Sequence, residues 1–235
     1  MTPALRHWAA THPGALRRSN QDAFLSRPEI GLFAVADGVG GSAGGGFASS
    51  EVVRLLAELP PELGPAELLN AVRRQLQAAH ETLRRAGPDA KGGSPATTVV
   101  VVLVSGRHLT CVWIGDSRAY VLRDGRLTRL TADHSLVEEM VRAGRLTDPE
   151  AGRHPRGNVI TRAIGAGPED ALIDKVIATI EPGDRILLCS DGLLKALPEE
   201  TIAACMARRE PVTALLDAAL VALASDNVTA IVAAV

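Results

Sequence analysis

The 235-residue sequence predicts an α+β fold, with antiparallel strands at the centre and long amphipathic helices packed outside them. Three observations carry this. Two stretches before residue 87 place apolar residues at three- and four-residue spacing, short apolar runs replace them after residue 97, and the links between those runs are too tight for crossover helices. A hydrophobic content of 46% is ample for a core, and the length fits one large domain or two small ones, with a single domain over residues 1–235 expected.

Taken in order, Ala23-Phe24-Leu25 and Leu32-Phe33-Ala34-Val35-Ala36 read as short strands, the second of them buried. A glycine tract at 38–46 follows, then a helix over 47–59 with Val52, Val53, Leu55 and Leu56 facing inward. Pro65 starts a second helix. Leu68, Leu69, Val72, Leu76, Ala79 and Leu83 line its inner face, and Gly87 is placed to stop it before a turn-rich stretch to Pro95. Strands are expected at 99–104, 109–114, 119–122 and 127–130. The links Ser105-Gly106-Arg107-His108 and Asp124-Gly125 read as hairpin turns, so this region is expected to be one antiparallel meander. A polar, arginine-rich insert occupies 133–168. Beyond it come strands at 177–180 and 186–189, helices near 198–208 and 211–224, and a last strand at 228–235.

Composition removes several functions. A net charge of -2 gives no electrostatic footprint for nucleic acid, and no basic stripe is interleaved with aromatics. Cys111, Cys189 and Cys205 lie far apart in apolar stretches, as small buried hydrophobes of a reducing cytosol do. Neither a leader nor an uncharged apolar run long enough to span a bilayer is visible, so a cytoplasmic protein without a membrane partner is expected.

The aspartates fall in an informative pattern. Asp37, Asp116 and Asp191 each end an apolar run, while Asp22 and Asp226 each precede one. In an antiparallel sheet the start of one strand lies beside the end of its neighbour, which would put all five at one sheet edge. Any one of them also has a plain reading as a turn or helix cap, as Asp133, Asp148 and Asp184 do. Their shared placement is the signal. Carboxylates packed together raise one another's pKa and call for counter-cations, and oxygen-only ligands favour Mg²⁺ or Mn²⁺ over zinc or copper. Two such ions about 3.5 to 4 Å apart activate a bridging water for in-line attack on a phosphoryl centre.

Six blocks then resemble, in order and over nearly the whole chain, the metal-dependent protein phosphatases (type 2C) in their compact bacterial form. They are Arg17-Arg18-Ser19-Asn20-Gln21-Asp22, Val35-Ala36-Asp37-Gly38-Val39-Gly40-Gly41, Ala96-Thr97-Thr98, Ile114-Gly115-Asp116-Ser117-Arg118-Ala119-Tyr120, Cys189-Ser190-Asp191-Gly192-Leu193 and Asp226-Asn227-Val228-Thr229. The resemblance implies two stacked antiparallel sheets flanked by helices, with residues 133–168 as a flap. It implies that Asp37 bridges two metals, the Gly38 carbonyl binds one, Asp191 and Asp226 hold the other, and Asp116 helps bind a third, weaker ion. Asp22 would orient water, with Gln21 beside it where other members have Glu. Arg17, rather than Arg18, would grip the substrate phosphate through its planar fork. The expected substrates are phosphoserine and phosphothreonine proteins, the expected partner a serine/threonine kinase whose work is reversed, and the expected state a monomer. Val39 stands where many eukaryotic relatives carry the His proposed as general acid. His134 and His154 are candidate proton donors, although turn or packing roles weigh more.

Three rival functions have partial support in the sequence. Gly38-Val39-Gly40-Gly41-Ser42-Ala43 matches a dinucleotide fingerprint with Glu58 downstream, but hairpin-linked strands contradict a parallel sheet and Asp37 would repel a pyrophosphate. An inactive binding module would lack metal aspartates, and none is missing. A small phosphorylated metabolite as substrate draws only weak support from Arg142, Arg145, Arg153, Arg156 and Arg162, which a solvated basic face explains equally well.

Overall fold

The computed structural model describes residues 5–39, 43–87, 94–152 and 154–235. Two antiparallel sheets form its centre. One has strands β2 (Asp22–Arg27), β3 (Leu32–Val39), β5 (Val99–Ser105), β6 (His108–Ile114) and β9 (Asp174–Thr179) in that order, with the short β4 (Ala96–Thr97) on β3. The other runs β1 (Arg6–His12), β11 (Val228–Ala234), β10 (Arg185–Cys189), β7 (Arg118–Arg123), β8 (Arg126–Arg129).

Alternation along the strands builds three apolar layers. Phe33, Val35, Val100, Val102, Cys111 and Trp113 meet Val121, Ile186, Leu188 and Ile231 between the sheets. The intervening residues Leu32, Ala34, Val99, Val101 and Val112 turn outward onto helices α1 (Ala43–Ala57) and α2 (Pro65–Ala86). On the opposite face Leu187, Cys189, Ala230 and Val232 pack on α5 (Asp191–Ala196), α6 (Glu199–Met206) and α7 (Pro211–Val221). Strands covered on both sides read as unbroken apolar runs, which is why residues 99–104 show no polar face. All three cysteines are free and buried.

Helix α2 starts at Pro65, with the Gly64 N–H donating to Glu67, and it ends at Gly87, whose φ of 66° only glycine adopts easily. The Asp124-Gly125 turn has positive φ at both residues, 50° and 77°, as a type I′ hairpin requires.

One expectation fails. Residues 99–130 are not a single meander, because β6 and β7 belong to different sheets. The chain crosses at Gly115, where φ is 106° and a Cβ would lie 2.4 Å from the Thr98 side chain. A tight link joins neighbours in one sheet or steps between two stacked sheets, and its length alone does not distinguish them. Strand β1 and helix α5 carry no clear sequence signal. His and Arg interrupt the apolar pattern of β1, which is instead fixed by pairing with β11 from Arg6↔Ala234 to His12↔Val228. At six residues, α5 is too short to display a period.

Within residues 133–168 lie α3 (Leu136–Arg142) and α4 (Asp148–Ala151). Asp133 opens this segment and accepts from both Arg118 and Arg129, so it serves as an ionic anchor rather than in the turn or cap role its sequence position suggests, the cap of α3 being Ser135. Gly40, Gly41, Ser42, Arg153 and most of the turn-rich stretch before Pro95 lie outside the described residues. Among the described residues, no helix is long and apolar enough to cross a membrane.

Candidate metal centre

The acids gather at one end of the sandwich, but not on one sheet. Asp22 and Asp37 belong to β2 and β3 and Asp116 follows β6, whereas Asp191 and Asp226 flank β10 and β11 of the opposite sheet. This corrects the single-edge expectation. Stacking places the two sheet ends over one cleft, lined by Asp37, Asp116, Asp191 and Asp226 together with Arg17, Gln21, Gly38 and Lys195.

Two glycines make the approach possible. A Cβ on Gly38 would sit 2.4 Å from the Gly45 backbone, so β3 meets the start of α1 only because Gly38 has no side chain. A Cβ on Gly192 would sit 2.0 Å from the Asn227 carbonyl oxygen, which seats the turn after Asp191 directly on the turn after Asp226. The Asp37 carbonyl accepts from the Thr98 N–H and the Thr97 hydroxyl, both at 2.8 Å. Asp22 Oδ2 accepts from the hydroxyls of Ser190, 2.8 Å, and Thr229, 2.6 Å, both on the opposite sheet. Asn227 Oδ1 accepts from the Gln21 N–H, while its Nδ2 donates to Pro13 and Ser19 carbonyls. Ser190, Asn227 and Thr229 stand in the quoted sequence blocks, but their hydrogen-bonding roles depend on the stacking of the sheets. Lys195 carried no signal except its position four residues after Asp191.

The electrostatics follow from crowding. Burial first, then the charges of Asp22, Asp191, Asp116 and Asp226, push the Asp37 pKa well above the carboxylate range. Burial raises Asp22 to about 6 against the pull of its two hydroxyl donors. Asp116 is raised to about 7, by burial and then by Asp191. Burial also raises Asp191, with Lys195 opposing. Asp226 differs: its burial would raise it, but hydrogen bonds from Arg17 and the charge of Lys195 outweigh that and lower it.

Arg17 grips Asp226 bidentately, Nε to Oδ1 at 2.9 Å and Nη2 to Oδ2 at 3.1 Å. Lys195 Nζ lies 2.5 Å from Asp191 Oδ2 and 3.4 Å from Asp226 Oδ2. Accordingly, among the described residues no three His, Cys, Asp or Glu side chains stand as a ready-made metal cage. The acid set nevertheless fits a hard cation. Asp22 Oδ1 and Asp191 Oδ1 are buried without a hydrogen-bond donor, although both carboxylates lie within hydrogen-bonding reach of Asp37. Three carboxyl groups in such contact need a proton or a cation between them.

The remaining sequence candidates fall outside this chemistry. Arg18 is exposed and does not line the cleft. His134 is buried, its Nδ1 accepting from the Gly115 N–H and its Nε2 bonded to Asp174, with its ring stacked on Trp113. It is a packing histidine, and its burial lowers its pKa. His154 accepts the Arg156 N–H in a turn. Arg162 pairs with Asp174, and Arg142, Arg145 and Arg156 are exposed. Asn158 and Ile160 bring the 133–168 insert to the cleft wall. The dinucleotide reading fails on the antiparallel sheets, and Glu58 pairs with Arg54 at the surface.

A stacked two-sheet α+β sandwich with an acid cluster shared between its sheet ends sets the class of fold and site. The chain belongs to the protein phosphatase 2C family, whose model matches residues 17–231. It is 35% identical over 239 residues to the serine/threonine protein phosphatase PstP of Mycobacterium tuberculosis, covering 99% of this chain but only 45% of that protein. The chain thus spans about half the length of that relative. The serine/threonine phosphatase stp of Listeria monocytogenes is 33% identical over 80% of this chain and 78% of its own. Among solved structures, PppA, described as a key regulatory component of T6SS in Pseudomonas aeruginosa, superposes with a TM-score of 0.89 at 35% identity, covering 98% of this chain and 97% of PppA. The catalytic domain of PstP in complex with two manganese ions superposes with a TM-score of 0.85 at 34% identity, covering 98% and 97%.

Proposed function

We propose that this chain is a metal-dependent phosphoprotein phosphatase, which hydrolyses phosphoserine and phosphothreonine at a centre of two Mn²⁺ or Mg²⁺ ions. One observation supports this most: Asp22 and Asp191 each keep one buried carboxylate oxygen that no donor satisfies, and both carboxylates crowd Asp37. Bound divalent ions supply the missing counter-charge and the Lewis acidity that turns water into a nucleophile toward phosphorus.

The residues take the following parts. Asp37 and the Gly38 carbonyl would hold one ion, Asp37 with Asp191 and Asp226 would hold the other, and Asp116 would suit a weaker third. Asp22, fixed by the Ser190 and Thr229 hydroxyls, orients water at the reacting end of the cleft. Gln21 shapes the cleft wall beside it. Arg17, at the cleft mouth with a half-exposed side chain, turns its fork from Asp226 to the substrate phosphate. With Val39 at the position of the missing histidine and His134 locked in packing, the leaving group takes its proton from solvent-derived water rather than from a side chain. Residues 133–168 act as the flap through Asn158 and Ile160. The protein-bound phosphoserine and phosphothreonine substrates rest on the family relationship, and an opposing kinase, a cytoplasmic location and a monomeric state are further parts of the proposal.

The test is hydrolysis of a phosphothreonine peptide with Mn²⁺, with chelator, and after Mn²⁺ is restored. Activity that persists in chelator would overturn the reading.

A further inference from the structure

Lys195 lines the cleft but has no part in the scheme above, and its position is specific. It lies one helical turn after Asp191 on α5, two-thirds buried, with Nζ set between carboxylates from two separate strand ends. Nothing in the helix demands this. A solvent-directed rotamer would serve α5 equally well, because an exposed pair at this spacing contributes only a few tenths of a kcal/mol. Bridging Asp191 and Asp226 is instead the task the scheme gives to a divalent ion.

We propose that Lys195 is a built-in competitor for that ion: its ammonium holds Asp191 and Asp226 together until a metal displaces it. This rests on the ligand assignment made above. The two halves of the cluster are unequally satisfied. Asp191 Oδ1 and Asp22 Oδ1, near Asp37, have no donor, whereas Asp191 Oδ2 and both oxygens of Asp226 are held by Lys195 and Arg17. A cation entering beside Asp37 meets uncompensated charge. One that needs Asp226 must first exchange with the ammonium and the guanidinium, so the two ions bind in sequence, the second more weakly. The same exchange frees Arg17 for phosphate.

The measurement is calorimetric titration of the metal-free protein with Mn²⁺, together with its melting temperature, for wild type, Lys195→Met and Lys195→Arg. Arg123→Gln, which breaks an ion pair with Asp184 far from the cleft in sequence and fold, serves as control. Lys195→Met is expected to melt lower without metal and to bind its second Mn²⁺ about tenfold more tightly, since removing a positive charge a few ångströms away strengthens cation binding. Lys195→Arg keeps the competing charge and stays near the wild-type affinity. The control melts lower with both affinities unchanged. Equal or weaker second-ion binding in Lys195→Met overturns the proposal, and so does equal tightening of both ions, which a bystander charge would also give. If Lys195→Met does not fold, Lys195→Gln carries the same expectation. A wild type that binds no Mn²⁺ removes the metal assignment itself, whereas two bound ions with no effect of residue 195 remove only the role of Lys195.

Discussion

Asp22 and Asp37 are direct partners across the β2–β3 ladder, two half-buried acids placed opposite each other in an antiparallel pair. Like charges in that position destabilise a sheet. The fold tolerates them because two hydroxyls from the opposite side of the cleft hold Asp22, and a bound cation, as proposed, would supply the remaining counter-charge. That relationship sets what substitutions around the site should do.

Gly192→Ala forces a methyl onto the Asn227 carbonyl oxygen at 2.0 Å, where neither backbone can yield easily. The expected cost is about 1–3 kcal/mol of stability. Because the contact seats Asp191 beside Asp226, Mn²⁺ affinity should fall as well. Chemical denaturation and metal titration check the two effects separately, and an unperturbed variant would show that the contact relaxes.

Arg17→Ala should raise KM for a phosphopeptide by about 10- to 100-fold, the loss of a charge-assisted fork on phosphate. Mn²⁺ binding should persist, because Arg17 releases rather than supplies a metal ligand. Steady-state kinetics at saturating Mn²⁺ measure this, and unchanged KM would move phosphate recognition elsewhere.

Asp184 gives a pH-dependent prediction away from the cleft. It is buried and accepts a two-pronged bond from Arg123, which holds its pKa below the ordinary carboxylate value, although burial opposes. A lowered folded-state pKa means stability that is present above the unfolded value and lost as pH falls through the folded one. Asp184→Asn should therefore cost about 1–3 kcal/mol near neutral pH, with the difference closing below about pH 4. Denaturant titrations at pH 7 and pH 3 test this; a gap that does not shrink would mean the pair contributes no charge term.

His134→Asn should lower the melting temperature by breaking the bonds to Gly115 and Asp174, yet leave the shape of the pH–rate profile unchanged, since the ring is packed rather than catalytic. Loss of one limb of that profile would reinstate His134 as a proton donor.

These residues also show what the sequence made legible. Strand ends marked by Asp37, Asp116 and Asp191, the α2 stripe from Leu68 to Leu83 and the Asp124-Gly125 turn carry local patterns that survive folding. The partition into two sheets was not legible in local pattern, because the Gly115 crossing looks like any tight link. Its placement decided how the acids meet. Lys195 was invisible for another reason: its role depends on Asp226, thirty-one residues away, being brought to the same turn by Gly192 packing on Asn227.

The central claim is that Asp37 joins two metal ions. Electron paramagnetic resonance of the Mn²⁺-loaded protein tests it most directly, in wild type and Asp37→Asn. The account predicts an exchange-coupled two-ion spectrum in the wild type that collapses to isolated Mn²⁺ in the variant; a wild-type spectrum of isolated ions only would contradict it.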